Sequence, residues 1–351
     1  MQNINWYPGH MKKTRELIAE NMKMVDAVVE VIDSRIPVSS RNPIIDELVR
    51  GKPRIVVLNK SDLSDENANR KWKAALEQPA GGNDDAAGGP RETDDSSAGS
   101  ATGGNAAGGG QASGTAGSPG DAEDSPTGGK NSPAGGVRVI TMNSMTGAGK
   151  NELFRILEEM DSKRSGNAAM KPYRIMIVGV PNVGKSSLIN RMTGHKSAKT
   201  GDRPGVTKGK QWLRLENGMQ LLDTPGILWP KFEDPKAGMN LAFCGSIKDE
   251  ILDVPTLAME LIGVLTERYP ELLMKRYKLD ELYEEGEESP ETGWPMETAQ
   301  DVALANMHRI ALKRGCILPG KRIDYERIGK LVLDEFRGAV IGRITLEWPE
   351  E

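Results

Sequence analysis

Short apolar runs alternate with amphipathic stretches along the first two-thirds of the chain. Residues 25–33 (VDAVVEVID), 54–60 (RIVVLNK), 137–143 (VRVITMN) and 173–179 (YRIMIVG) are β-branched and nearly continuous in apolar character, as expected of strands covered on both faces. Between them, residues 43–50, 65–77 and 150–163 carry helical spacing, with Leu153, Ile156, Leu157 and Met160 on one stripe. Strands alternating with helices predict a parallel sheet with helices on both sides. Residues 211–216 and 219–223 flank Asn217 and Gly218, a hairpin signal that adds one antiparallel pair. After about Phe232 the period changes. Residues 254–268, 271–285, 297–314 and 324–341 read as helices, Pro290 and Pro295 break the middle of that run, and no clear strand remains until the very end. The predicted fold class is α/β, a sheet of about six strands followed by an all-helical C-terminal domain. Its expected divisions are an N-terminal helix within 1–24, a sheet domain over 25–230 and a helical domain over 231–351.

Residues 79–136 depart from this pattern. They hold seventeen of the 40 glycines, no aromatic residue and no apolar period, so they cannot offset the entropy of ordering. The stretch is read as a disordered acidic insert, either a tolerated loop without function or a charged interaction arm. Lengthening a loop from about 5 to about 58 residues costs only roughly 2 kcal/mol. Its net charge of −6 means that the chain's −4 conceals a mildly basic remainder. Two cysteines, Cys244 and Cys316, and three histidines exclude a disulfide framework or a four-ligand zinc site. No apolar run approaches the roughly 20 residues of a membrane span, and the polar first 23 residues do not resemble a secretory signal. A soluble, cytoplasmic protein is expected.

The chemistry lies in four short motifs. Residues 179–186 (GVPNVGKS) fit GxxxxGK[ST] between a predicted strand and a predicted helix over 185–192, the context a P-loop requires. Backbone N–H groups of that turn, with Val183, Gly184 and Ser187 in the set, cradle phosphate oxygens. Lys185 reaches the β- and γ-phosphates, and the Ser186 hydroxyl ligates Mg²⁺. Residues 59–62 (NKSD) choose the base. Asp62 can accept from guanine N1–H and the N2 amino group together, a pattern adenine cannot offer, while Asn59 and Lys60 brace the pocket and cover the base. Residues 223–226 (DTPG) end another strand, with Asp223 holding Mg²⁺ through water and the Gly226 N–H facing the γ-phosphate. Thr207, in the loop 204–210, is the natural second hydroxyl ligand to Mg²⁺, with Thr200 as a rival. Asn143 and Ser144, at the end of the third strand, are placed to touch guanine O6 through backbone N–H. In ordinary GTPases the P-loop comes first and the base-reading residues last. Here the order is reversed, so the chain reads as a circularly permuted P-loop GTPase.

Those motifs, with residues 6–11 (WYPGHM), 203–207 (RPGVT), 223–228 (DTPGIL) and 342–347 (GRITLE), resemble the bacterial ribosome biogenesis GTPase A family (RbgA, also YlqF) over nearly the whole chain outside the insert. The resemblance implies GTP hydrolysis stimulated by the large (50S) ribosomal subunit during its late assembly. It also implies that the C-terminal helical domain is similar to ANTAR-type RNA-binding bundles and contacts rRNA. Ile227 stands where most GTPases place a water-orienting Gln. In proteins similar to this one the proposed substitute is the N-terminal histidine, which maps to His10 and joins Lys185 and Gly226 as the catalytic set. The other reading leaves His10 capping or packing the Pro-Gly turn. Asn182 resembles the asparagine that coordinates K⁺ in potassium-stimulated GTPases.

Ten Lys and Arg lie between Lys171 and Leu215 against Asp202 alone. Lys196, Lys199, Arg203, Lys208 and Lys210 suit RNA phosphates, or answer to GTP alone. Lys313, Arg314, Lys321, Arg322, Arg327 and Lys330 form a second candidate RNA surface, whereas 281–291 is acidic and should avoid RNA. His195 and His308 are read as surface or packing residues. Expected partners are GTP and GDP, the large subunit and its rRNA, with no membrane and a monomeric chain. A rival from another class is a nucleotide-gated RNA-binding switch for which hydrolysis is incidental.

Overall fold

The computed structural model describes residues 16, 18–49, 51–77, 137–194, 212–222, 234–290 and 292–349. Residues 79–136, His10, Thr207, Asp223, Gly226 and Ile227 lie outside them. Six strands form one sheet: β1 (Ala27–Asp33), β2 (Arg54–Asn59), β3 (Arg138–Met142), β4 (Arg174–Val178), β5 (Trp212–Arg214) and β6 (Gln220–Leu222). Their order is β3-β2-β1-β4-β6-β5. All neighbours are parallel except β5, which runs antiparallel to β6 across the Asn217-Gly218 turn.

Alternation along the strands sorts side chains to two faces. Val29 and Val31, with Ile55, Val57, Ile175 and Ile177, face Leu153, Ile156 and Leu157 of the helix Lys150–Ser162. Val28, Met176, Val178 and Leu222 face the opposite way, against Ile18, Met22, Ile45 and Val49. Every residue of β1 is buried, which explains its unbroken apolar run. A fully buried side chain of this kind is worth roughly 1.5–3 kcal/mol.

Among the described residues five α-helices follow: Pro235–Phe243, Val254–Arg268, Pro270–Tyr277, Ala299–Arg314 and Tyr325–Arg337. Leu257, Leu261 and Leu265 of the second meet Ile310 and Ala311 of the fourth and Ile328, Val332 and Phe336 of the fifth. Asp253, Thr298 and Asp324 cap three of these helices, each worth about 1 kcal/mol. The same apolar core continues from the sheet into the helices.

The structure corrects the sequence expectation at four places. The helix predicted over 271–285 ends at Tyr277, where Lys278 turns left-handed (φ 55) and Leu279 is buried. The helix predicted to reach 341 ends at Arg337, before Gly338 and a left-handed Ala339 (φ 53). The helix Pro235–Phe243 was not anticipated, although Asp234 caps it and Pro235 starts it, a local helix signal. A short hairpin, β7 (Ile317–Leu318) with β8 (Arg322–Ile323), interrupts the otherwise helical C-terminal half.

Glu77 Oε1 accepts from Val139 N at 3.3 Å. The last described residue before 79–136 and the start of β3 therefore meet at the amino ends of the parallel strands. Asn59, Asn143 and Gly179 lie at or just beyond the carboxyl ends of β2, β3 and β4, where α/β sheets bind ligands. No described helix is long and apolar enough to cross a membrane.

Candidate functional site

The P-loop runs from the end of β4 into the helix Lys185–Thr193. Gly179 (φ 148) lets the backbone leave β4 against β1; a Cβ there would lie 2.3 Å from Val31 O. Gly184 (φ 100) begins the helix, and a Cβ there would lie 2.2 Å from Asn59 Nδ2. The loop is thus a cradle whose amides are open to a ligand because two positions carry no side chain. Lys185 is buried, and its Nζ donates to Val180 O at 2.6 Å, which curls the side chain over the loop. Ser186 and Ser187 follow on the first helical turn, both half-buried. These groups fit a phosphate-bound Mg²⁺, with the Ser186 hydroxyl as the donor within reach of the loop.

Asn59 joins this cradle to the loop that follows β3. It is 1% exposed. Its Nδ2 donates to Val183 O at 2.6 Å, while its Oδ1 accepts from Ser144 N at 3.0 Å and Ser144 Oγ at 2.8 Å. One buried amide therefore ties the ends of β2, β3 and β4 together. The Ser144 N–H is engaged by Asn59, and the amides of Met145 and Thr146 turn to Asn143 Oδ1 at 2.8 and 3.1 Å. Asp62 is exposed at the mouth of this loop.

The first strand ends in a carboxylate to which the sequence motifs give no role. Asp33 is fully buried and accepts from Arg35 Nη2 at 2.8 Å, Arg35 Nε at 3.0 Å and Lys60 Nζ at 2.9 Å. Burial works to raise its pKa, but Arg35 and Lys60 outweigh that and hold the carboxyl well below the usual carboxylate range. Lys60 takes a left-handed backbone (φ 59) with its ammonium on Asp33. Burial pushes the nearby Cys244 thiol up to about 12, so it is neutral and no nucleophile. Among the described residues no cluster of His, Cys, Asp and Glu could hold a metal ion.

Asn182 (φ 59), expected at a K⁺, donates from Nδ2 to Gly245 O at 2.6 Å, just past the helix Pro235–Phe243. His308 is buried and hydrogen-bonded to Tyr325 OH, a packing role.

Residues 174–280 match a family model described as 50S ribosome-binding GTPase. The chain is 35% identical to "Ribosome biogenesis GTPase A" of Bacillus cereus, covering 99% of this chain and 95% of that protein. The chain belongs to the ribosome biogenesis GTPase A family. The same name is carried by a Bacillus pumilus protein, 35% identical over 99% of both chains. A GNP-bound YlqF from Thermotoga maritima has the same fold, with a TM-score of 0.54 at 23% identity, covering 97% of this chain and 99% of that one. As a member of the ribosome biogenesis GTPase A family the protein binds GTP and GDP and hydrolyses GTP, on a permuted P-loop GTPase sheet. A largely helical segment follows that sheet, as the change of period after about Phe232 leads one to expect.

Proposed function

We propose that this GTPase acts on the large (50S) ribosomal subunit late in its assembly, binding rRNA in its GTP state and leaving after hydrolysis. The match of 174–280 to a family described as 50S ribosome-binding carries the choice of subunit. In this reading residues 25–230 form the GTPase domain and 231–351 the RNA-binding one, with Lys313, Arg314, Lys321 and Arg322 meeting RNA phosphates.

The Val183, Gly184 and Ser187 amides and Lys185 hold the phosphates. Asp62 reads guanine N1–H and N2, Asn59 and Ser144 hold the base loops against the P-loop, and Lys60 walls the base. Ser186 and Thr207, with Asp223 through water, hold Mg²⁺, which neutralises charge developing on the γ-phosphate. The Gly226 N–H faces the same phosphate. Asn182 supplies a ligand to K⁺, and His10 orients the attacking water, since Ile227 cannot. A bound K⁺ adds positive charge where transition-state charge develops.

The test is GTP hydrolysis in potassium buffer with and without purified large subunits. Stimulation of about tenfold or more, lost in His10→Ala and absent with small subunits, is expected. A rate indifferent to the large subunit refutes the partner. A His10→Ala protein with full stimulated turnover refutes the catalytic role and favours a capping one.

A further inference from the structure

The last described residues form a strap rather than a tail. Beyond the helix Tyr325–Arg337, residues 343–347 return to the sheet domain and hydrogen-bond along one line of backbone. Arg343 Nη2 donates to Ser61 O at 3.0 Å and its Nε to Ser64 O at 2.8 Å. Ile344 N donates to Leu63 O at 3.1 Å, and Thr345 Oγ1 accepts from Asp65 N at 3.0 Å. Leu346 N donates to Arg35 O at 2.8 Å. The Glu347 carboxylate accepts from Val38 N at 2.6 Å, from Ser39 N at 3.1 Å and from the Ser39 hydroxyl.

Four of these contacts fall on residues 61, 63, 64 and 65. They bracket Asp62, the exposed carboxylate at the end of the NKSD turn. One guanidinium spans the carbonyls on the two sides of it, a use that suits the rigid fork of arginine and not the single ammonium of lysine. Thr345 is fully buried at this junction, whereas the Arg343 side chain is 45% exposed.

We infer that Arg343 is a positioning residue for guanine recognition: the strap it anchors sets the place of the Asp62 carboxylate, so base selectivity depends on the C-terminal segment of the chain. This rests on the proposed role of Asp62 as the base reader. Without the Arg343 fork the turn remains tethered at Leu63 and Asp65, and the carbonyl of Ser61, immediately before Asp62, keeps Asn69 Nδ2 at 3.1 Å but loses its link to the strap. A carboxylate that must meet N1–H and N2 together is sensitive to such a shift, because both contacts need one orientation.

The experiment compares GDP with IDP, which lacks the 2-amino group, as fluorescent analogues on the full-length protein. Four proteins are measured: the parent, Asp62→Ala, Arg343→Ala and Arg343→Lys. In Arg343→Ala the GDP affinity is expected to fall about tenfold, equivalent to about 1.4 kcal/mol, and IDP affinity by no more than about twofold. The preference for guanine is thus compressed while the melting temperature barely moves. Arg343→Lys should recover only part of the preference. If Asp62→Ala leaves the GDP-to-IDP preference intact, the base-reading role itself is wrong. If Asp62→Ala abolishes the preference and Arg343→Ala retains it, the strap has no positioning role. An equal loss for both nucleotides would likewise overturn it, since general loosening does not distinguish bases.

Discussion

Asn59→Ala tests the central joint of the site. In the parent the Asn59 side chain satisfies Val183 O and the Ser144 N–H, both on buried residues. Truncation leaves one acceptor and one donor without this partner, while the Ser144 hydroxyl can rotate elsewhere. A buried polar group left unpaired costs about 1–3 kcal/mol, and a water entering the small space would recover part of that. A net loss of about 2–4 kcal/mol follows. Both orphaned groups sit in the loops proposed to contact the nucleotide, so most of the loss should appear as weakened GDP binding, about thirtyfold or more. Titration with a fluorescent GDP analogue reads the affinity, and thermal melting checks that the protein is folded. Asn59→Asp sharpens the test. A carboxylate still accepts from Ser144 but faces Val183 O with an acceptor, so its affinity should be no better than that of Asn59→Ala. A folded Asn59→Ala protein within about threefold of parental affinity would refute the joint. Recovery in Asn59→Asp would show that only the Ser144 side matters.

Two further outcomes follow from the same geometry. Asp33 has its pKa held down by Arg35 and Lys60, so its contribution to stability is present above its unfolded value and is lost as pH falls below about 4. Asp33→Asn, which leaves Arg35 buried without its carboxylate, should cost about 3–5 kcal/mol at pH 7. That gap should narrow in acid denaturation titrations at pH about 2–4; a gap constant with pH would contradict the assignment. Deletion of 79–136 should leave GDP affinity within about twofold, because its attachment points lie at the strand ends opposite the P-loop; a tenfold loss, about 1.4 kcal/mol, would contradict that placement.

Much of the fold was legible because its signals are local. Strands buried on both faces must be apolar at every position, so 25–33, 54–60, 137–143 and 173–179 announced themselves, and the glycine pattern of 179–186 is demanded by a backbone that admits no Cβ. What escaped were elements whose cause is tertiary. Tyr277 ends its helix because Leu279 finds a place in the core, and the periodicity through 285 does not register that. The nine-residue helix Pro235–Phe243 had a capping signal and too little length to stand out.

By itself the sequence determined the order of the motifs, and hence the permuted sheet with its P-loop between a strand and a helix, because those features are written in spacing and residue type. Only the tertiary structure decided which groups hold one another. That Asn59 bridges β2, β3 and the P-loop, that Asp33 is shared by Arg35 and Lys60, and that residues 343–347 return to brace the turn around Asp62 depend on contacts between residues far apart in sequence. In the last case the partners are separated by some 280 positions. A hydrogen bond depends on distance and direction in space, and no local pattern of residue types records either across such a separation.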